Sequence, residues 1–213
     1  MARAKATGVA TGLPQAVVFD LGGVLLDWNP RHLYRKLFAD NEQAMEEFLA
    51  EVCTQEWNRR QDAGRSFAEG AALLKSAHPE KAALIDAFGA RFDEMVAGPI
   101  SGSVEILAEL HGRGTPLYAL TNWSAETYPS VPQRFAFLAW FRGVIVSGEA
   151  GVIKPDPQIY SLLVQRFGLD PRTTVYIDDG AHNVNAGRAL GFIGIHFTTP
   201  EALRDELAGL RLL

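Results

Sequence analysis

Five short apolar runs constrain this chain more than any other feature. They are Ala16-Val17-Val18-Phe19, Leu117-Tyr118-Ala119-Leu120, Val144-Ile145-Val146, Val175-Tyr176-Ile177 and Ile193-Gly194-Ile195-His196-Phe197. Each is too short for a helix and too continuous for a half-exposed strand, so each reads as a strand buried on both faces. Helical patterns separate the later ones. Ser103 is placed to cap a helix over Val104 to His111, with Ile106, Leu107 and Leu110 inward. Pro157 to Phe167 repeats the pattern before Gly168, Asn183 to Leu190 stops at Gly191, and Pro200 to Leu207 opens on a first-turn proline. Strands alternating with helices imply an α/β fold, a Rossmann-like parallel sheet with right-handed crossovers.

The stretch from Trp28 to Val96 breaks this alternation. Leu33 to Phe38, Met45 to Val52, Phe67 to Leu74 and Ala82 to Phe92 all show helical spacing, and no convincing strand interrupts them. At roughly 150 residues per domain, 213 residues make one domain and part of another. The excess is this helical block, residues 28–97, inserted after the first strand into a core formed by 14–27 and 98–213. Residues 1–13 carry Arg3 and Lys5 but no apolar core, so they read as a flexible tail rather than a secretory signal.

Composition narrows the function. With 47% hydrophobic and 21% charged residues the chain can bury a core, which excludes a disordered or collagen-like protein. Twenty basic against 25 acidic residues leave a formal charge of −5, with no basic surplus for nucleic acid. The apolar runs fall far short of the roughly 20 residues that span a membrane. The single cysteine, Cys53, forms no internal disulfide and suits a cytoplasmic protein, monomer or homodimer, as a small hydrophobe in a cap helix.

In open parallel sheets, ligands bind beyond the carboxyl ends of the strands. The residues following the apolar runs are Asp20-Leu21-Gly22-Gly23, Thr121-Asn122, Ser147-Gly148-Glu149 (with Lys154-Pro155 beyond) and Asp178-Asp179. Each alone could be a turn or helix cap. Together they place three carboxylates, a lysine and a hydroxyl on one edge. An aspartate can attack phosphorus, provided that a hard cation such as Mg2+, Lys154 and backbone N–H groups neutralise the phosphoryl oxygens.

These segments resemble the four motifs of the haloacid dehalogenase-like (HAD) superfamily: Val17 to Leu25, Leu120-Thr121-Asn122, Lys154 within Gly151 to Asp156, and Tyr176-Ile177-Asp178-Asp179 with Asn183 following. Phe19 to Asn29 and Ile177 to Gly191 look most like the bacterial glucose-1-phosphate phosphatase type and the phosphatase domain of soluble epoxide hydrolases. The resemblance implies a HAD-like core with an inserted helical cap, and a Mg2+-dependent phosphatase acting on a small phosphorylated metabolite, with sugar phosphates favoured. It implies Asp20 as the nucleophile, phosphoryl binding by Gly22, Gly23, Thr121, Asn122 and Lys154, and metal ligation by Asp20, the Gly22 carbonyl, Asp179 and Asp178, the last through water or replaced by pairing with Lys154. Asn183 supports them.

One departure stands out. Most phosphatases of the superfamily carry a second aspartate two residues after the nucleophile, which protonates the leaving group. Here that position is Gly22. Asp27, a cap residue such as Glu56 or Asp62, or a bound water must then supply the proton. Two alternatives share the fold. An L-2-haloacid dehalogenase would use Asp20 without metal, and Lys154 with Tyr160 fits its spacing, whereas Asp178-Asp179 would repel its anionic substrate. A catalytically weak or inactive binding module would account for Gly22. Trp57 to Arg60 reads as a helix with its polar face outward in preference to one whose aromatic and basic residues contact the organic part of a substrate, His182 as a loop histidine that could reach the site, and Thr127 to Trp140 as packing against the sheet edge or a second subunit.

Overall fold

The computed structural model describes residues 13–39 and 41–213. The expected tail, apart from Leu13, lies outside them. The chain runs β1 (Ala16–Phe19), β2 (Leu26–Trp28), α1 (Arg31–Leu37), α2 (Glu42–Glu51), α3 (Gln55–Asp62), α4 (Phe67–Ala77), α5 (Ala82–Ala90), β3 (Val96–Pro99), α6 (Ser101–Gly112), β4 (Leu117–Thr121), α7 (Val131–Arg134), β5 (Gly143–Val146), α8 (Ser147–Ala150), α9 (Pro157–Phe167), β6 (Thr174–Asp178), α10 (Ala181–Ala189), β7 (Ile193–His196) and α11 (Pro200–Gly209).

Five strands form one parallel sheet in the order β5-β4-β1-β6-β7. The continuous apolar runs explain the burial: Val17, Val18, Phe19, Val175, Tyr176 and Ile177 are all fully enclosed. Fully burying a side chain of this kind stabilises by roughly 1.5–3 kcal/mol. From β1 the chain builds outward to β4 and β5, then returns to β6 on the other flank. The carboxyl ends of β1, β4 and β6 therefore meet at the point where strand order reverses, where ligands bind in such sheets.

The inserted block is helical, as its spacing predicts. Ser66 and Glu69 form a reciprocal capping box at the start of α4. Thr54 caps α3 through Trp57 N, and Asn41 caps α2 through Ala44 N. An aromatic cluster of Tyr34, Phe48, Trp57, Phe67, Phe88 and Phe92 packs these helices together, with ring centroids 5.0–6.2 Å apart in contacts such as Tyr34–Phe48, Trp57–Phe88 and Trp57–Phe67.

Four expectations need correction. Strands do occur at the two ends of the block, where none was expected: β2 and β3 form an antiparallel ribbon matching Leu26 with Pro99 and Asp27 with Gly98. Ser103 is not a cap. Ile100 N donates to Leu25 O at 2.9 Å, which ties the chain to the ribbon so that α6 begins at Ser101; the Ser103 hydroxyl is buried with no partner among the described residues. The polar residues of α3 do not all face outward: Glu56 and Arg60 are exposed, but Asn58 and Asp62 are buried toward the site, and Gln61 is buried beside Gly70 of α4. Cys53 is buried, but in the turn between α2 and α3. The segment from Thr127 to Trp140 forms short turns against the same chain, with Leu138 buried and Trp140 stacked on His111 at 5.3 Å.

Candidate active site

Asp20 is the first residue past β1. Its N–H donates to Ile177 O at 2.8 Å, extending the ladder and sending the carboxylate beyond the sheet edge. Oδ1 accepts from Leu21 N at 2.7 Å, and Oδ2 meets Lys154 Nζ at 2.8 Å. The chain then turns back through Gly22 and Gly23. Gly23 has φ +77°, and a Cβ there would stand 2.3 Å from Asp179 Oδ2. Glycine is needed at this position on both counts.

Lys154 is buried, and its three N–H bonds are all used: to Asp20 Oδ2, to Asp178 Oδ2 at 2.7 Å and to Leu120 O at 3.0 Å. The Asn122 amide pins its loop by donating to Lys154 O at 3.1 Å and accepting from Lys154 N at 2.8 Å. Asp178 is fully buried and accepts from Lys154, the Tyr176 hydroxyl, Gly180 N at 2.8 Å and Asn183 Nδ2 at 2.9 Å. Four bonds saturate a carboxylate, so Asp178 is a brace for Lys154 rather than a free ligand. The Tyr160 hydroxyl is likewise committed, donating to Asn183 O at 2.9 Å.

Oxygens of Asp20, Asp178 and Asp179 lie within 4.8 Å of one another. Burial pushes Asp20 up to about 8; Lys154 pulls against this, and Asp178 and Asp179 add to it. Burial also works against the Asp178 charge, but the Lys154 ammonium and hydrogen bonds from Lys154, Tyr176 and Asn183 outweigh it and hold the group below its usual range. Asp179 is raised by desolvation and by Asp178. Three carboxylates around one ammonium leave excess negative charge, which a proton or a cation would relieve. Mg2+ fits the donors present: hard oxygens from Asp20 and Asp179, plus the Gly22 carbonyl, which accepts no hydrogen bond among the described residues.

A cavity of about 370 Å³ opens over this cluster. Asp20, Gly22, Gly23, Thr121, Asn122 and Asp179 form its floor, and Trp28, Asn58, Arg59, Asp62 and Phe92 of the inserted block help to form its roof, with His182 at the side. The sequence reasoning thus brings together Asp20, Gly22, Gly23, Thr121, Asn122 and Asp179. Lys154 and Asp178 lie beneath them and reach the cavity through Asp20. Of the roof residues, the sequence names Asp62 as a possible proton donor, whereas Trp28 and Phe92 carry no signal and Asn58 and Arg59 read as solvated, because a polar helix face reads so until its tertiary partner is known. A second cavity of about 350 Å³ shares Trp28, Gln55 and Asn58 with the first.

Comparison with known proteins agrees with this geometry. The chain is 25% identical over 202 residues to the sesquiterpene phosphatase astK of Aspergillus oryzae, covering 92% of this chain and 96% of that one. It is 26% identical over 183 residues to the N-acetylmuramic acid 6-phosphate phosphatase of Pseudomonas aeruginosa, covering 83% and 78%. A HAD family enzyme of known structure, bt-2542 from Bacteroides thetaiotaomicron, superposes with a TM-score of 0.70 at 20% identity over 88% of this chain and 95% of that one. That enzyme has also been crystallised with magnesium and inorganic phosphate. The family model for haloacid dehalogenase-like hydrolases matches residues 14–191, strand β1 through α10, and the chain belongs to that family.

Proposed function

We propose that the protein is a Mg2+-dependent phosphatase that hydrolyses a small phosphate monoester through an aspartyl-phosphate on Asp20. The observation that carries this is the Asp20 carboxylate, held by Lys154 on the floor of a cavity beside further hard oxygen donors. Asp20, Asp179 and the Gly22 carbonyl would hold the ion, which when bound would offset the repulsion between carboxylate and phosphate. In the first step an Asp20 oxygen bonds to phosphorus as the bond to the alcohol oxygen breaks. In the second, water attacks phosphorus, phosphate leaves and the Asp20 carboxylate is restored. Lys154 aims Asp20 and, with the bound ion, favours its ionised form against the burial that raises it. The Thr121 hydroxyl and the Gly22 N–H have no partner among the described residues and are free to bind phosphoryl oxygens.

Residues 28–97 act as a cap in this proposal, with the β2–β3 ribbon as its joint. It is docked on the core through Ser147 Oγ, which donates to Asp62 O at 2.6 Å, and through Glu126 Oε1, which accepts from Phe67 N at 3.0 Å. The closed cap excludes water from Asp20. The alcohol half of the substrate lies against Trp28, Phe92 and Trp123 and extends toward the second cavity. Trp28 Nε1 and Asn58 Oδ1, buried without partners among the described residues, are available to donate to its oxygens and to accept from its hydroxyl groups, respectively. A compact, partly apolar alcohol suits this lining.

The test is phosphate release from a panel of sugar, terpenyl, nucleotide and aryl phosphates with Mg2+ and with EDTA. EDTA-sensitive release that Asp20→Ala abolishes supports the proposal. No release from any ester, or activity retained in Asp20→Ala, refutes it. A haloacid dehalogenase is disfavoured by the same geometry: a haloacid carboxylate would face Asp20 and Asp179, with Lys154 already spent and Tyr160 turned away.

A further inference from the structure

Gly22 leaves the alcohol without its usual proton donor, and the structure separates the candidates that could take its place. Asp27 is outside the cavity, exposed and paired with His32 at 3.1 Å. Glu56 is also outside it, on the exposed face of α3 beside Arg60. Asp62 alone of the three lines the cavity with Asp20. It sits at the last turn of α3, and only 8% of it is exposed.

Its surroundings fix it in place. Oδ2 accepts from Asn58 Nδ2 at 3.2 Å, one turn earlier on the same helix. Its backbone carbonyl accepts from Ser147 Oγ, which in turn accepts from Trp123 N at 2.9 Å. The residue that would deliver the proton is therefore also one of those that fasten the cap to the core. No ion pair holds Asp62 and no donor bonds Oδ1 among the described residues, so Oδ1 is left for a ligand. We propose that Asp62 is the general acid and base of the reaction, supplied by the cap in place of the residue missing at Gly22.

This rests on the phosphatase reading and deepens it. In the first step the Asp62 carboxyl gives its proton to the ester oxygen as the P–O bond breaks, and the neutral alcohol departs. In the second, the Asp62 carboxylate takes a proton from the water that attacks phosphorus, and the acid is regenerated. The charged groups around it are Arg59 on its own helix, Asp20 across the cavity with Lys154 beneath it, and exposed Glu149 on α8, the helix to which its carbonyl is tied. Burial raises Asp62 to about 7 against the pull of Lys154 and Arg59, which suits a group that must both give and take a proton near neutrality.

The experiment compares Asp62→Asn with wild type in single turnovers of an alkyl phosphate and an aryl phosphate, whose phenol needs no protonation to leave. General acid catalysis supplies about 10²–10⁴-fold. Alkyl-ester cleavage should slow by that factor, while the aryl ester still gives a burst of phenol followed by a stall at the phosphorylated enzyme, which lacks its base. Equal loss on both esters, or no loss on either, overturns the proposal. Wild type gives a second reading that needs no variant: the alkyl-to-aryl rate ratio should fall as pH rises through about 7, and a flat ratio overturns the assignment. If wild type cleaves neither ester, the phosphatase reading falls and this assignment with it. If it cleaves both but Asp62→Asn is silent, only the assignment falls.

Discussion

Gly23→Ala probes whether the cation site depends on missing side-chain volume, and the structure sets the size of the effect. The new Cβ would stand 2.3 Å from Asp179 Oδ2, where ordinary contact begins near 3.4 Å, so the carboxylate must withdraw by about 1 Å. Mg2+ binds oxygens at roughly 2.0–2.1 Å in near-ideal octahedral geometry. A withdrawal of half a bond length removes the ligand. Disturbing groups that merely orient ligands costs about 10–100-fold in affinity, so Mg2+ binding should weaken by at least that. The fold should suffer less. Holding alanine at φ +77° costs roughly 1–2 kcal/mol, partly offset by about 0.4–1 kcal/mol from a less flexible unfolded chain. Calorimetric Mg2+ titration beside urea unfolding in EDTA separates the two effects. A variant that binds Mg2+ as tightly as wild type would refute the assignment of Asp179 as a ligand held in place by a glycine.

Lys154→Met leaves Asp20 and Asp178 buried without their shared cation, and such a change costs about 3–5 kcal/mol. Both carboxylates should then titrate above the unfolded value of 3.8, so the variant should regain stability as pH falls toward that value. Urea unfolding across pH in EDTA checks this, and a loss that is small or independent of pH contradicts it. In metal-free wild type, Asp20 is raised from 3.8 to about 8, so its contribution to stability is complete below pH 3.8 and lost as pH rises through about 8. Thermal melts should show that decline, and Mg2+ should restore the alkaline side; a melt indifferent to Mg2+ speaks against the site. Ser147→Ala removes two bonds at the joint of cap and core, leaving buried groups unpaired at about 1–3 kcal/mol each. Hydrogen exchange in α3 should quicken while the β1 amides stay protected, and unchanged α3 protection would show that the cap is held by other contacts.

The parts of the fold that were legible in sequence are those whose residues face one kind of environment. The strands of the sheet announced themselves because Val17, Val18, Val175 and Ile177 are buried on both faces, so apolar continuity was the whole signal. The polar residues that follow them found their places for the same reason: once a parallel sheet is assigned, Asp20, Thr121 and Asp179 must share an edge. The ribbon was hidden because Leu26-Asp27-Trp28 and Val96-Ala97-Gly98-Pro99 are too short, and the second too rich in glycine and proline, to carry an alternating pattern. The inward face of α3 was hidden for a different reason. Asn58 and Asp62 become interior residues only when α3 meets the core, and no periodicity separates a polar face turned to water from one turned to a site. The pairing of Lys154 with Asp20 and Asp178 was among the expectations, but its third bond was invisible, since Leu120 O is a backbone carbonyl on a separate strand.

The central claim is that Asp20 attacks phosphorus and that water later attacks phosphorus rather than the Asp20 carboxyl carbon. A single turnover in water enriched in heavy oxygen decides it. Mass spectrometry of the released phosphate and of the peptide carrying Asp20 should find the heavy atom in the phosphate and none in the aspartate; label in the Asp20 carboxylate would contradict the account and point instead to displacement at carbon.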